Sequence, residues 1–200
     1  MIDSFAAKAS DWDSPDKLKM THKFVAELLS HVTPQPSWKI LEIGTGTGLV
    51  GLQIEPMVSH LVLEDTSESM LGILRQKLNG NNKVEILHGE VFEYKPCDID
   101  LVFSCMAFHH IPDIDKTLGH LAIIIKLGAW VIIGDLVTEN GSFHGFEPIP
   151  HRGFDTSVLS GQFVQAGFIV QAVKVYNTLI RTIDSVTTLY EQFILIAKRV

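Results

Sequence analysis

Four glycines lie within eight positions of the chain, directly after an apolar run. The stretch is WKILEIGTGTGLVGL, residues 38–52. Gly44, Gly46 and Gly48 form a G-x-G-x-G pattern, whereas Gly46, Gly48 and Gly51 form G-x-G-x-x-G, the pattern of dinucleotide-binding loops. A strand, a glycine loop and a helix start together favour a bound anion, because free backbone N–H groups point at it. The loop predicts a ligand with a negatively charged group, and both glycine patterns remain open.

Three acidic residues follow the first three apolar strands. Glu42 ends the first strand and suits a ligand with an ammonium group beside its carboxylate, as in S-adenosylmethionine. Asp65, 17 residues after Gly48, ends the second strand, where a carboxylate can accept hydrogen bonds from both ribose hydroxyls. Glu90 follows the third strand, where it would accept from an adenine amino group while the Val91 backbone completes the contact. Together the acids predict a nucleoside joined to an amino acid.

Histidines are the candidates for proton transfer, since their pKa lies nearest to neutral pH. His109 and His110 follow the fourth strand, and His144 and His151 lie in a long loop after the fifth. We expect His109 to line the acceptor pocket as the catalytic residue and His110 to cap the turn. The spacings H-H and H-x₆-H match no standard zinc arrangement, so the sequence predicts no metal site.

Strand and helix patterns alternate along almost the whole chain. The predicted helices cover 21–31, the residues after the glycines as far as Pro56, 67–80, 112–128 and 155–168. The predicted strands cover 38–43, 60–65, 83–89, 98–105, 129–136, 169–177 and 190–200. Such alternation implies a mostly parallel sheet with helices on both faces.

The C-terminal end departs from this alternation. About a dozen residues separate the last two strands, without a helical period, so a hairpin is favoured over a parallel crossover. The predicted fold class is therefore α/β, with a doubly wound, mostly parallel seven-stranded sheet and one antiparallel strand near the C-terminus. Residues 137–154 are predicted to be a long, functional loop.

Composition and charge limit the binding partners and the cellular location that we expect for the chain. The net charge of −7 argues against a nucleic-acid partner, which usually requires a basic face. Two cysteines are too few for a disulfide framework, and the N-terminus lacks the apolar core of a signal peptide. The sequence has no apolar run of about 18 residues, so it predicts no membrane span. We therefore expect a cytoplasmic protein; the sequence indicates no oligomeric state.

The motifs together resemble those of class I S-adenosylmethionine-dependent methyltransferases. The resemblance rests on LEIGTGTGLVG, LEDTSESML, HGEVF, DIDLVFSCMAFHHIPD and IIIKLGAWVIIGDL, which cover roughly residues 38–136. It is nearest to the small-molecule group that includes ubiquinone and menaquinone methyltransferases. One departure is IKLGA at residues 125–129, where the family usually has LKPGG.

The resemblance implies a Rossmann-like methyltransferase fold that uses S-adenosylmethionine as its cofactor. It also implies an N-terminal lid over residues 1–36 and a catalytic domain over residues 37–200. The implied cofactor-binding residues are Glu42, Gly44, Thr45, Gly46, Gly48, Asp65, Thr66, Glu90, Val91 and Ser104.

The resulting hypothesis is methyl transfer to a small-molecule acceptor by in-line displacement. Two alternatives remain. One is an NAD(P)-dependent oxidoreductase that uses Gly46, Gly48 and Gly51, and the other is a non-catalytic protein that binds S-adenosylmethionine. The tetrapeptide SCMA at the end of the fourth strand differs from the corresponding sequence of many methyltransferases that act on nucleic-acid bases. This difference also disfavours a nucleic-acid substrate.

Overall fold

A single mixed sheet organises the molecule. The computed structural model describes residues 3, 5–183 and 186–200. Within them the strands are β1 (Lys39–Ile43), β2 (His60–Asp65), β3 (Val84–His88), β4 (Ile99–Cys105), β5 (Ile125–Leu136), β6 (Phe168–Ile183) and β7 (Val186–Arg199). Their order is β3-β2-β1-β4-β5-β7-β6, and β7 runs antiparallel to both neighbours while the others are parallel. The predicted fold class is confirmed.

The strand order reverses between β1 and β4. From β1 the chain proceeds outward to β2 and β3 and then returns to β4 on the other side of β1. Ile43 near the end of β1 pairs with Glu64 of β2 and Ser104 of β4. The loops that follow these strands therefore share the crevice where ligands bind in open α/β sheets.

Helices cover both faces of the sheet. They are α1 (Pro15–His31), α2 (Gly51–Ile54), α3 (Glu68–Leu78), α4 (Ile114–Ile124) and α5 (Thr156–Gln165). One core contains Phe24 of α1 and Leu74 of α3, and the other contains Leu118 of α4 and Phe163 of α5. Among the described residues, none of the helices combines the length and apolar character that membrane crossing requires.

Helix α1 begins earlier than the sequence pattern predicts. It starts at Pro15 rather than at residue 21 because Ser14 caps it, its hydroxyl accepting a hydrogen bond from the Lys17 N–H. Proline is favoured at the first helical position, where no N–H is needed. The apolar spacing detects only the half of the helix whose side chains, such as Phe24 and Leu28, are buried.

The helix after the glycine loop is shorter than predicted. Helix α2 is a single turn, Gly51–Ile54, followed by a 3-10 turn over Glu55–Met57. Pro56 falls inside that turn and prevents a continued α-helix by removing a backbone donor. The loop therefore presents the N–H groups of tight turns rather than the end of a long helix.

Strand β5 takes residues that the sequence assigns to a helix. Helix α4 ends at Ile124, and β5 starts at Ile125, which pairs with Ile99. The segment IKLGA lacks the proline of the usual turn, so the chain keeps its backbone donors and continues as a strand past Gly128, whose φ is +79°.

The last two strands are also longer than predicted. Strands β6 and β7 pair as far as Leu179 with Tyr190 and Thr182 with Thr187, through the segment predicted as a connection. Residues 178–189 are rich in threonine and branched apolar side chains, which favour strands. The predicted antiparallel pairing is confirmed; residues 184 and 185 lie outside the described residues.

Candidate functional site

The loop after β1 has a backbone shape that glycine adopts most readily. Gly44, Gly46 and Gly48 have φ angles of +69°, +56° and +84°. A side chain at Gly44 would also collide with Ala107, which follows β4. The glycine pattern therefore fixes both the path of the loop and its close contact with the end of β4.

Two carboxylates at the end of β2 hold this loop through its backbone. The Gly44 N–H donates to Glu64 Oε2 at 3.1 Å, and the Gly46 N–H donates to Asp65 Oδ2 at 2.6 Å. The other oxygen of Asp65 accepts from the Ser67 N–H at 2.8 Å, just before α3. Each carboxylate oxygen has two lone pairs, so Asp65 retains acceptor capacity for a ligand.

Glu42 lies beneath the loop and is almost fully buried. Its side chain accepts a 2.7 Å hydrogen bond from the Thr45 hydroxyl, and only 2% of Glu42 is exposed. Burial, with a smaller contribution from the charge of Asp65, raises the pKa of Glu42 to about 8. Glu42 is therefore mainly protonated at neutral pH, and a cation bound beside it would favour its ionisation.

Glu64 is a member of the site that the sequence analysis missed. Burial, followed by the charges of Asp65, Glu90 and Glu42, raises its pKa well above the usual value. Four carboxyl groups therefore lie close enough to influence one another at this edge of the sheet. The available signal was the pair of consecutive acids that ends the otherwise apolar strand β2.

The remaining predicted cofactor residues lie at the ends of β2, β3 and β4. Thr66 and Glu90 are exposed, and Glu90 directly precedes a 3-10 turn that starts at the buried residue Val91. Ser104 is fully buried, and its hydroxyl donates to the Ile43 carbonyl oxygen at 3.0 Å. The side chains of Thr66 and Glu90 are thus accessible, whereas that of Ser104 already has a partner within the sheet.

The N-terminal segment, meaning the described residues that precede α1, lies across the glycine loop. The indole nitrogen of Trp12 is 3.5 Å from the position that a Cβ at Gly46 would occupy. Asp13 accepts from the Thr47 hydroxyl and forms an ion pair with Lys77, which also donates to the Thr47 carbonyl oxygen at 2.7 Å. This segment therefore connects the glycine loop to α3.

His109 forms a buried pair with Asp135 at the end of β5. The Nδ1 atom of His109 is 2.6 Å from Asp135 Oδ1, and the His109 backbone N–H donates to Oδ2 at 3.0 Å. An ionised carboxylate only accepts, so Nδ1 carries the proton and the neutral ring presents a lone pair at Nε2. Burial opposes the charged ring, but the Asp135 carboxylate raises the pKa of His109.

The long loop after β5 brings two more histidines to His109. His144 Nε2 is 3.0 Å from His109 Nε2, and the rings of His109 and His110 have centroids 4.2 Å apart. We call His109, His110 and His144 the histidine cluster. His151 instead fixes the loop, because its backbone N–H donates to the His109 carbonyl oxygen and its ring bonds to the Ile111 carbonyl oxygen.

Neutral rings are favoured at two positions of the histidine cluster. Burial and then the positive charges of His109 and His144 lower the pKa of His110 to about 3. Burial and the charge of His109 also lower the pKa of His144. At neutral pH both rings therefore present unprotonated nitrogen atoms.

The raised pKa of Glu42 predicts a pH-dependent stability. Between pH 4.5 and about 8 the folded state holds a proton on Glu42 that the unfolded state has released. The free energy of unfolding of the wild type should therefore fall with rising pH, relative to Glu42→Gln, by up to about 1.4 kcal/mol per pH unit. Urea unfolding at pH 5, 6, 7 and 8 measures this difference.

A matched control is Glu68→Gln. Glu68 is exposed, and its hydrogen bond with Arg75 lowers its pKa, so its titration falls below this pH range. The difference between Glu68→Gln and the wild type should stay constant from pH 5 to 8. A constant difference for Glu42→Gln as well would contradict the prediction.

Comparison with known proteins identifies relatives for much of the chain. Residues 40–128 match the family model described as a methyltransferase domain. Demethylmenaquinone methyltransferase of Clavibacter sepedonicus is 26% identical over 126 residues, covering 62% of this chain and 49% of that protein. A ubiquinone biosynthesis O-methyltransferase of Sinorhizobium fredii is 24% identical over 154 residues, covering 68% of this chain and 62% of the relative. The chain thus spans about half to three fifths of the length of these relatives.

A solved structure matches over nearly the whole chain. The crystal structure of a SAM-dependent methyltransferase from Aquifex aeolicus aligns with a TM-score of 0.73 and covers 98% of both chains. The two sequences are 21% identical, so the likeness is one of fold.

Proposed function

We propose that the chain is a class I S-adenosylmethionine-dependent methyltransferase, which binds S-adenosylmethionine at the glycine loop and transfers the methyl group to a small-molecule acceptor. The names of two relatives, a demethylmenaquinone methyltransferase and a ubiquinone biosynthesis O-methyltransferase, support a small organic acceptor. The acidic chain and the SCMA segment support the exclusion of nucleic acid. The sequence-based expectation of a cytoplasmic location would be tested by cell fractionation.

The observation that carries this proposal is the position of Asp65 at the end of β2, next to the strand β1 at which the strand order reverses. Its carboxylate holds the Gly46 and Ser67 N–H groups and so stands at a fixed place between the glycine loop and α3. Its remaining lone pairs suit the two ribose hydroxyls. Glu90 and the Val91 backbone, at the end of the adjacent strand β3, would then meet the adenine edge.

Glu42 and Thr45 serve the methionine end of the cofactor in this proposal. Glu42 lies beneath the glycine loop, Thr45 lies within it, and the Thr45 hydroxyl donates a hydrogen bond to Glu42. The cofactor amine supplies the positive charge that ionises Glu42, whose pKa is raised by burial in the unliganded protein. The turns at Gly44, Gly46 and Gly48 let the ligand approach the backbone closely.

Methyl transfer depends more on the alignment of the acceptor with the methyl donor than on a dedicated catalytic side chain. When bound, S-adenosylmethionine would supply an electrophilic methyl carbon, and its sulfonium would leave as a neutral thioether as the acceptor forms its bond to that carbon. Orientation of the two reactants alone can lower such a barrier by about 7–11 kcal/mol. His109 is the proposed catalytic residue because Ala107, two positions earlier, contacts the glycine loop at Gly44, which supports a place for the turn that carries His109 beside the proposed cofactor site.

The acidic edge of the sheet disfavours the nicotinamide alternative. Glu42, Glu64, Asp65 and Glu90 are close enough for their charges to interact. A diphosphate beside them would add like charge, whereas S-adenosylmethionine brings a sulfonium and an ammonium group. Electrostatic complementarity therefore supports S-adenosylmethionine over NAD(P).

Calorimetric titration tests cofactor choice. We expect one S-adenosylmethionine or S-adenosylhomocysteine to bind per chain and expect NAD, NADP and their reduced forms to give no heat of binding. Saturable binding of a nicotinamide cofactor without binding of S-adenosylmethionine would overturn the proposal.

Turnover separates an enzyme from a binding protein. The protein is incubated with tritiated methyl donor and a fractionated pool of small metabolites, and labelled product is counted after extraction. Labelled product together with S-adenosylhomocysteine supports methyl transfer. Cofactor binding without product in any fraction would favour the non-catalytic alternative.

We also propose that residues 1–36 act as a lid over the catalytic domain formed by residues 37–200. The contacts of Trp12 and Asp13 with the glycine loop support this role. Helix α1 packs against the sheet through Phe24 and Leu28. Within residues 1–36, this helix would therefore stay in place, and the segment before it would move.

A further inference from the structure

The histidine cluster gathers three imidazole rings from two distant parts of the chain. One nitrogen atom from each of His109, His110 and His144 lies within 4.8 Å of the others. His109 is buried and the other two are partly buried, so the group is not a chance array of surface side chains. We propose that the histidine cluster binds a divalent transition-metal ion such as Zn²⁺.

The partner of His109 supports this proposal most directly. Asp135 is fully buried and accepts from His109 Nδ1, the His109 backbone N–H and its own neighbour, the Leu136 N–H. The carboxylate thus fixes both the tautomer and the orientation of the ring, and the lone pair lies at Nε2, the atom that contacts His144 Nε2. Metal-binding histidines almost always donate their other ring N–H to such a partner.

Two of the ring nitrogen atoms are nearly as far apart as the nitrogens of two histidines bound to one metal ion. His144 Nε2 is 3.0 Å from His109 Nε2. A tetrahedral ion with metal–nitrogen bonds of about 2.0–2.1 Å holds two ligand nitrogens roughly 3.3 Å apart. A shift of a few tenths of an ångström would therefore convert the hydrogen-bonded pair into two ligands.

The loop around His144 is braced in a way that holds this ring in place. His144 ends a 3-10 turn between Gly141 and Gly145, which both have positive φ angles. The Glu139 side chain accepts from the backbone N–H groups of Gly141 and Phe143 at 2.8 and 3.0 Å. The loop thus presents His144 from a defined turn rather than from a free chain.

Glu139 adds a second observation that favours a cation. One of its oxygens, Oε1, is buried and has no hydrogen-bond partner among the described residues. The negative charge of Glu139 also acts on both His109 and His144. A bound cation would compensate this carboxylate and that of Asp135 within the same region.

Three imidazoles suit zinc and other late divalent metals and leave at least one coordination position open. That position could hold a water molecule or an acceptor oxygen, nitrogen or sulfur. The role of the ion in methyl transfer rests on the proposed function: a coordinated hydroxyl or thiol would lose its proton to solvent at a lowered pKa, and its lone pair would then attack the methyl carbon. Binding of the metal itself does not depend on that function.

The test titrates chelator-treated, metal-free protein with Co²⁺, followed by visible absorption, and then displaces Co²⁺ with Zn²⁺. We expect one ion per chain, with the absorption of a nitrogen-ligated ion, and an affinity at least about 100-fold lower in His144→Ala and His109→Ala. Asp135→Asn should weaken binding about 10- to 100-fold because it removes the orienting carboxylate.

Two histidines outside the cluster provide matched controls. His22→Ala and His31→Ala each remove an exposed histidine of α1. Both should keep wild-type stoichiometry and affinity. Circular dichroism and thermal unfolding verify the fold of each variant; His144→Ala changes a partly buried loop residue and keeps the test open if His109→Ala unfolds.

The proposal fails if metal-free protein takes up no ion, or if folded His144→Ala binds Co²⁺ as tightly as the wild type. Loss of the absorption signal in His22→Ala would indicate surface binding and would also overturn it. S-adenosylmethionine titrated into the metal-free protein tests the proposed function separately, so either idea can fail while the other stands.

Discussion

Replacing Asp65 by alanine is expected to raise the dissociation constant for S-adenosylmethionine by at least about 100-fold. The carboxylate would hold two ribose hydroxyls, and each hydrogen bond to a charged group contributes about 1.5–3 kcal/mol. A loss of 1.4 kcal/mol corresponds to a factor of ten in affinity. The same change also frees the Gly46 and Ser67 N–H groups, so the glycine loop loses its tie to α3.

The measurement is calorimetric titration of folded variant and wild type under the same conditions. Asp65→Asn keeps the size of the side chain and can still accept from the loop, so it separates the loss of charge from the loss of loop geometry. Glu68→Ala is the matched control, because Glu68 is an exposed carboxylate at the start of α3. An affinity of Asp65→Ala within about threefold of the wild type would contradict the assignment of the ribose site.

Replacing Asp135 by alanine is expected to lower the free energy of unfolding by about 3–5 kcal/mol. Asp135 and His109 are both buried, and removing the carboxylate leaves the buried Nδ1–H group of His109 without its acceptor. The change also leaves the backbone N–H groups of His109 and Leu136 without their acceptor. Urea unfolding of the metal-free protein at pH 7 measures the effect.

Asp135→Asn is the informative companion to this variant. The amide oxygen can still accept from the backbone N–H groups, so the loss of stability should be clearly smaller than for alanine. Ser157→Ala, which removes an exposed hydroxyl from α5, should leave stability nearly unchanged. Equal stability of Asp135→Ala and the wild type would show that the buried pair does not support the fold.

The sequence predicts the fold because its signals are local and agree with one another. Buried strands such as ILEI and LVLED are apolar apart from the acids near their ends, and capping residues such as Ser67 and Asp155 mark helix starts. Errors occur where no local signal exists. The β5 boundary at Ile125 depends on pairing with β4, and the length of the β6–β7 hairpin depends on cross-strand contacts.

In the candidate site, too, some residues could be predicted from the sequence and others could not. Glu42 and Asp65 could be found because each ends an apolar strand, and the ends of parallel strands meet at one edge. The link from His109 to His144 could not, since 35 residues separate them and the path of the loop decides their distance. Local spacing therefore argued against a metal, whereas the folded loop creates a group of three rings.

The attachment of Trp12 and Asp13 to the glycine loop has a kinetic consequence. Under the proposed lid role, a nucleoside that enters beside Gly46 would first displace this segment, and capture and release would cross the same barrier. The rate at which the spent cofactor leaves would then depend on breaking the Asp13–Lys77 ion pair. Salt, which screens that pair, would then accelerate exchange in both directions.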